Sequence, residues 1–118
     1  MHTAIEILYT DNFKADAQVA ITWKSKLIGK LAARDAIKGL LQDIDNQLRL
    51  FPESGKKIEF VSINVHYLEL LKGDYRAVYK IDKQPSGKLT LYLLMFCHQR
   101  MDYQTLMRQR HIMKVISR

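Results

Sequence analysis

The spacing of apolar and polar positions divides the chain into a helical half and a strand half. Residues 5–9, Ile-Glu-Ile-Leu-Tyr, alternate loosely and are β-prone, which predicts a first strand. Thr10-Asp11-Asn12 then supplies N-cap oxygens, although no Glu or Gln follows at the capping-box position. Phe13, Ala17, Ala20, Trp23 and Leu27 recur at spacings of three and four, one apolar stripe of a helix with Trp23 in the core. Gly29 predicts its end. A stronger stripe follows at Ala33, Ile37, Leu40, Leu41, Ile44 and Leu48, with Arg34, Asp35, Lys38, Gln42 and Asp43 off it. Phe51-Pro52 closes this second helix, because a residue before proline avoids helical geometry, and Glu53-Ser54-Gly55 continues as a turn. Both stripes need one core to cover, so two antiparallel helices are expected rather than a single long one.

The second half changes period. Residues 58–65 are β-prone but poorly bounded, and read as a connection. Strands are predicted over 67–71, 75–81 and 89–98, separated by the turn signals Lys72-Gly73-Asp74 and Gln84-Pro85-Ser86-Gly87. That is a three-stranded antiparallel meander. The predicted class is α+β, in the order β-α-α-β-β-β, with the helical hairpin on one face of the sheet. Residues 1–102 form the body, and the basic stretch 103–118 is a helix or tail of the same domain. Tyr103, Leu106, Met107 and Met113 have helical spacing there, while Ile112, Val115 and Ile116 fall off that side.

Strict alternation sorts the strand residues by face. Tyr75, Ala77, Tyr79 and Ile81 turn toward the helices, as do Leu91, Leu93, Met95 and Cys97. The other face then carries Arg76, Lys80, His98 and Arg100 among Val78, Tyr92 and Phe96. Cations interleaved with aromatics suit phosphate contacts with base stacking. They equally suit a peptide that alternates acidic and apolar residues. Plainer uses exist for the same residues: Arg76 as an ion pair with Glu69 or Asp82, Arg100 paired with Asp102, and Cys97 as a small buried apolar group.

Composition sharpens this picture by location. The 118 residues suffice for one domain with its own core. Residues 1–71 hold nine basic and nine acidic side chains, whereas residues 72–118 hold ten basic against three acidic. The entire net charge of +7 therefore lies in the last 47 residues, and a field so lopsided favours an anionic partner. Arg108, Arg110 and Lys114 extend it beyond the sheet. A single cysteine forbids an intramolecular disulfide and points to a reducing compartment. There is no signal-peptide pattern and no apolar run of membrane-spanning length, so a cytoplasmic protein without a membrane partner is expected. His2, His66 and His111 show no metal-ligand spacing, and no cofactor is expected.

Four blocks carry a family resemblance: Phe51-Pro52-Glu53-Ser54-Gly55, Tyr67-Leu68-Glu69-Leu70, Gly73-Asp74-Tyr75-Arg76-Ala77-Val78-Tyr79-Lys80-Ile81-Asp82, and Phe96-Cys97-His98-Gln99-Arg100-Met101-Asp102. With the order of elements, they resemble the ParE/RelE superfamily of toxins from bacterial type II toxin–antitoxin modules, over residues 5–102. The resemblance implies a toxin of a plasmid- or prophage-stabilising module, neutralised by an antitoxin whose acidic, partly disordered segment wraps it. It is compatible with a homodimer or a toxin–antitoxin hetero-oligomer. The antitoxin or target contacts it implies are Arg76, Lys80, Phe96, His98, Arg100, Arg108, Arg110 and Lys114.

The superfamily contains two activities. RelE-like members are ribosome-dependent endoribonucleases that gather cations from three strands on the scissile phosphate. Here Glu69 stands on the second strand where a cation is wanted, so a nuclease would rely on Glu69, Arg76, His98 and Arg100 acting on mRNA. ParE-like members poison DNA gyrase, and the Pro-Glu-x-Gly turn and His-Gln-Arg-x-Asp ending resemble them more closely. A gyrase poison that is not an enzyme is the expected function. An endoribonuclease and a non-toxic binding adaptor are the alternatives.

Overall fold

A computed structural model describes residues 4–58 and 66–110. Strand β1 (Ile5–Tyr9) leads into helix α1 (Asp11–Ile28) and then helix α2 (Lys30–Leu50). Thr10 is the N-cap of α1: its hydroxyl accepts from the Phe13 N–H at 3.3 Å and donates to the Leu93 carbonyl at 2.8 Å. One side chain thus starts the helix and ties it to the sheet. Gly29 stands alone between the helices with φ of +90°, a conformation that side chains other than glycine rarely adopt. The helices therefore fold back on each other with no intervening loop.

The remaining elements are β2 (Lys56–Lys57), β3 (Tyr67–Lys72), β4 (Tyr75–Lys83), β5 (Leu89–His98) and α3 (Tyr103–Gln109). The strands form one mixed sheet in the order β1-β5-β4-β3-β2. The predicted meander is β3-β4-β5. Strand β1 joins β5 in parallel, Ile5 opposite Leu89, and the two-residue β2 was not expected. The α+β class and the helical hairpin on the meander are as predicted. Residues 59–65, which hold most of the predicted connection, and residues 111–118, including Lys114 and His111, lie outside the described residues.

Two apolar layers flank the sheet. On one side, Phe13, Ala17, Ile37, Ile44 and Leu48 of the helices meet Ala77, Tyr79, Leu91 and Leu93 of the strands. Burying each large apolar side chain there contributes about 1.5–3 kcal/mol. On the other side, Met107 of α3 sits fully buried among Tyr67, Val78, Met95 and Cys97. Leu106 and Tyr103 pack beside it. The start of the tail is therefore a helix docked on the second face.

The turn at Pro52–Gly55 is held from within the first layer. The buried Tyr79 hydroxyl donates to the Pro52 carbonyl at 2.9 Å and accepts from the Gly55 N–H at 3.0 Å. A Cβ on Gly55 would stand 2.5 Å from that oxygen and 3.0 Å from the Glu69 carbonyl. Glycine is required there by close approach.

Trp23 departs from expectation. It is 66 % exposed, and Leu27 further along the same stripe is 84 % exposed. The stripe of α1 continues past the sheet that covers its first half.

Candidate functional site

Alternation of faces holds along β4 but breaks once on β5. Tyr79 pairs with Leu93 while Val78 pairs with Met95, so Leu94 is an extra residue, a β-bulge. The bulge swaps the faces of everything after it. Leu91 and Leu93 face the helices, yet so do Phe96 and His98, whereas Met95 and Cys97 turn to α3. The expected single face bearing Arg76, Lys80, His98 and Arg100 with Phe96 does not form. Arg76 and Lys80 lie on one side of the sheet, and Phe96 and His98 lie on the other.

On the α3 side, Arg76 and Glu69 make an ion pair at 3.2 Å, each side chain nearly buried. The Arg76 guanidinium stacks 3.8 Å from the Tyr103 ring centroid. Burial, then a hydrogen bond to Glu69, push the Tyr103 phenol up to about 12. Burial likewise raises the Cys97 thiol to about 11, with Arg76 pulling the other way. Arg76 and Glu69 are thus brought together but roofed by α3. Lys80 is further along the same face, its ammonium 5.1 Å from the Tyr92 ring. Arg108 is exposed on α3.

On the helix side, Tyr75 stacks on Phe96 with centroids 4.9 Å apart and meets His98 edge-on at 5.5 Å. The His98 Nδ1 accepts from the Arg100 N–H at 3.1 Å, and Arg100 itself is exposed past the strand end. Asp102 pairs with Thr105 rather than Arg100: its carboxylate caps α3, accepting from the Thr105 N–H at 3.2 Å and hydroxyl at 2.6 Å. Gln99 donates to the Gly73 carbonyl at 2.8 Å, fixing the strand end to the β3–β4 turn.

These strand ends floor a groove of about 900 Å³. Helix α1 forms one wall with Val19, Ala20, Trp23 and Leu27; Met101, Leu106 and Arg110 form the other. Its lining is mainly apolar, and Val19, Trp23, Leu27 and Met101 are each about half exposed or more. Lys24 and Lys26 edge the α1 wall, the Lys26 ammonium 4.5 Å from the Trp23 ring. Across the floor, Arg110 grips Asp16 through two hydrogen bonds of 2.7 and 2.6 Å. Asp16 also accepts from the Phe96 N–H at 2.9 Å. The arrangement is an apolar seat with Lys24 and Lys26 on its α1 edge and Asp74 beside Tyr75 at the strand end, suited to a helix that is apolar on one side and acidic where it meets α1. Among the described residues no cluster of His, Cys, Asp and Glu is suited to hold a metal ion.

Of the sequence-derived contact residues, Phe96, His98 and Arg110 border this groove, and Arg76, Lys80 and Arg108 do not. Asp16, Val19, Trp23 and Met101 were not expected there. Trp23 and Leu27 fall on the same stripe as the buried Phe13, Ala17 and Ala20, so spacing alone does not separate this wall from the core.

Comparison with known proteins agrees with the architecture. No protein-family model matches the chain, and no curated protein matches it. Among solved structures, a chain described as "Chromosomal ParDE TA system from P. aeruginosa" superposes with a TM-score of 0.60 at 18 % identity. The match covers 80 % of this chain and 95 % of that one. The chain shares the α+β fold of that ParDE-system chain.

Proposed function

We propose that the protein is the toxin of a type II toxin–antitoxin module, that an antitoxin segment lying in the α1–β5–α3 groove silences it, and that its target is DNA gyrase. The observation that carries this reading is the exposed apolar groove on a ParE-like fold. A monomeric protein rarely leaves Val19, Trp23, Leu27 and Met101 open on one contiguous surface unless something covers them. Lys24 and Lys26 at the edge complement an acidic segment.

The distribution of the remaining candidates supports a poison over a nuclease. Glu69 and Arg76 neutralise each other beneath Tyr103, while His98 is on the opposite side of the sheet. General acid–base cleavage needs its groups within reach of one phosphate, and these do not converge.

Induced expression tests the proposal. The expected result is growth arrest, relieved by co-expressing an acidic antitoxin encoded beside it, with purified gyrase losing supercoiling activity and accumulating cleaved DNA. Normal growth would favour an adaptor. Arrest with transcripts cut within codons and gyrase untouched would instead identify an endoribonuclease.

A further inference from the structure

The turn between the two helices carries a surface that the groove does not account for. Ile28 is 49 % exposed and Leu31 75 % exposed, and neither lines the groove. With Leu27 they make an apolar tip around Gly29, where the chain reverses without a loop. Lys24, Lys26, Lys30 and Arg34 flank that turn within five positions of Gly29, and no acidic residue occurs between Asp16 and Asp35. Exposed apolar side chains at a helix turn contribute nothing to a core, and four cations that make no ion pair among the described residues repel one another. Both features are costs to the free protein that a partner removes.

We infer that the hairpin tip, Leu27, Ile28 and Leu31 ringed by Lys24, Lys26, Lys30 and Arg34, is the surface that engages the toxin's target, docking into an apolar pocket rimmed by acidic side chains. This rests on the gyrase reading above and assigns it a contact site distinct from the antitoxin groove. The tip is a turn between two helices with three exposed apolar side chains, so its occupant must offer apolar surface. A second copy of this chain is disfavoured, because it would bring four cations against four. A flat lipid surface fits less well than a protein, since the apolar ridge does not end at the tip. It runs back along α1 through Trp23 and Val19 into the groove. Leu27 belongs to both surfaces, so an antitoxin in the groove also covers part of the tip, and silencing follows from occlusion.

The test uses the full chain with Leu31→Ser and Lys30→Glu combined, and Lys83→Glu, an exposed lysine beyond the tip, as the charge-matched control. Both altered positions are exposed, so the melting temperature should not move. The expected result is that the tip variant binds purified gyrase at least about tenfold more weakly and loses growth arrest, as for a contact at the centre of an interface. The control should behave as wild type. Unchanged gyrase binding by the tip variant, with wild type still arresting growth, overturns the inference and leaves the proposed function standing. Loss of phosphatidylglycerol-vesicle binding or of self-association in its place assigns the tip to a membrane or a second copy and also overturns it. If the wild type neither arrests growth nor binds gyrase, the proposed function fails and this inference falls with it.

Discussion

Asp16 and Arg110 are 94 positions apart and meet through two hydrogen bonds, with the same carboxylate accepting the backbone N–H of Phe96. Three elements, α1, β5 and the end of α3, are thereby pinned at one carboxylate. The charge pair raises the pKa of the Arg110 guanidinium further, chiefly through its hydrogen bonds to Asp16. Arg110→Ala should cost about 1–2 kcal/mol, since the pair is partly solvated and the loss is of a charge-assisted contact. Asp16→Ala should cost more, because it also strands a backbone donor and leaves Arg110 unpaired. Urea denaturation of both single variants and the double variant checks this; equal costs for the two singles would contradict it.

Tyr79 and Gly55 supply a second prediction. Tyr79→Phe removes the partner of the Gly55 N–H and the Pro52 carbonyl, at an expected cost of about 1–3 kcal/mol. Gly55→Ala should cost about as much through the clash with the tyrosine oxygen and the Glu69 carbonyl. Combined, the two should cost somewhat less than their sum, because the oxygen that the new methyl meets is gone while the ring Cε1 at 2.8 Å and the Glu69 carbonyl remain. Full additivity in thermal melts would show that the clash with that oxygen is not the cause.

The cap of α3 should be sensitive to acid. Hydrogen bonds from the Thr105 side chain and backbone hold the Asp102 carboxyl below its ordinary value. A group whose folded pKa is depressed lends stability above its unfolded pKa and loses it as pH falls through the folded one. The protection of the α3 amides, taken relative to their intrinsic exchange rate at each pH, should therefore fall on acidification below the usual carboxylate range. In Asp102→Ala that pH dependence should be lost, with fast exchange even at neutral pH. Equal acid sensitivity in the variant would place the titrating group elsewhere.

Trp23 is the chain's only tryptophan and reports on the groove directly. Its emission in the free protein should resemble that of a solvated indole and be readily quenched by acrylamide. Binding of an antitoxin segment should shift it to shorter wavelength and protect it. Trp23→Ala should change stability by less than about 0.5 kcal/mol, as at other exposed positions, while weakening that binding. A large loss of stability would mean that the indole is packed after all.

Much of this architecture was legible in the sequence because it follows from local periodicity. The stripes of α1 and α2, the reversal at Gly29 and the faces of β4 each depend on residues within a few positions of one another. The bulge does not. Nothing in Leu-Leu-Met-Phe-Cys-His marks which residue is surplus, since that is decided by pairing with Val78 and Tyr79 on another strand. The site was misassembled for that reason: Phe96 and His98 were assigned to the face of Arg76. Trp23 was misplaced for a different one. A stripe shows which side of a helix is apolar but not how far the surface beneath it extends.

The bulge also makes the register of β5 matter more than its composition. Parity, odd against even, decides which layer each residue past Leu94 joins. Pairing Leu94 regularly with Val78, with no bulge, would send Phe96 and His98 toward Met107 and turn Cys97 toward α1. The groove would lose its aromatic floor, and Asp16 would lose the N–H that it holds, though every side chain that lines the site would still be encoded. Relatives of this chain are therefore best aligned by counting from Val78 and Tyr79, with a one-residue gap at Leu94 read as loss of the bulge and not as an exchange of faces.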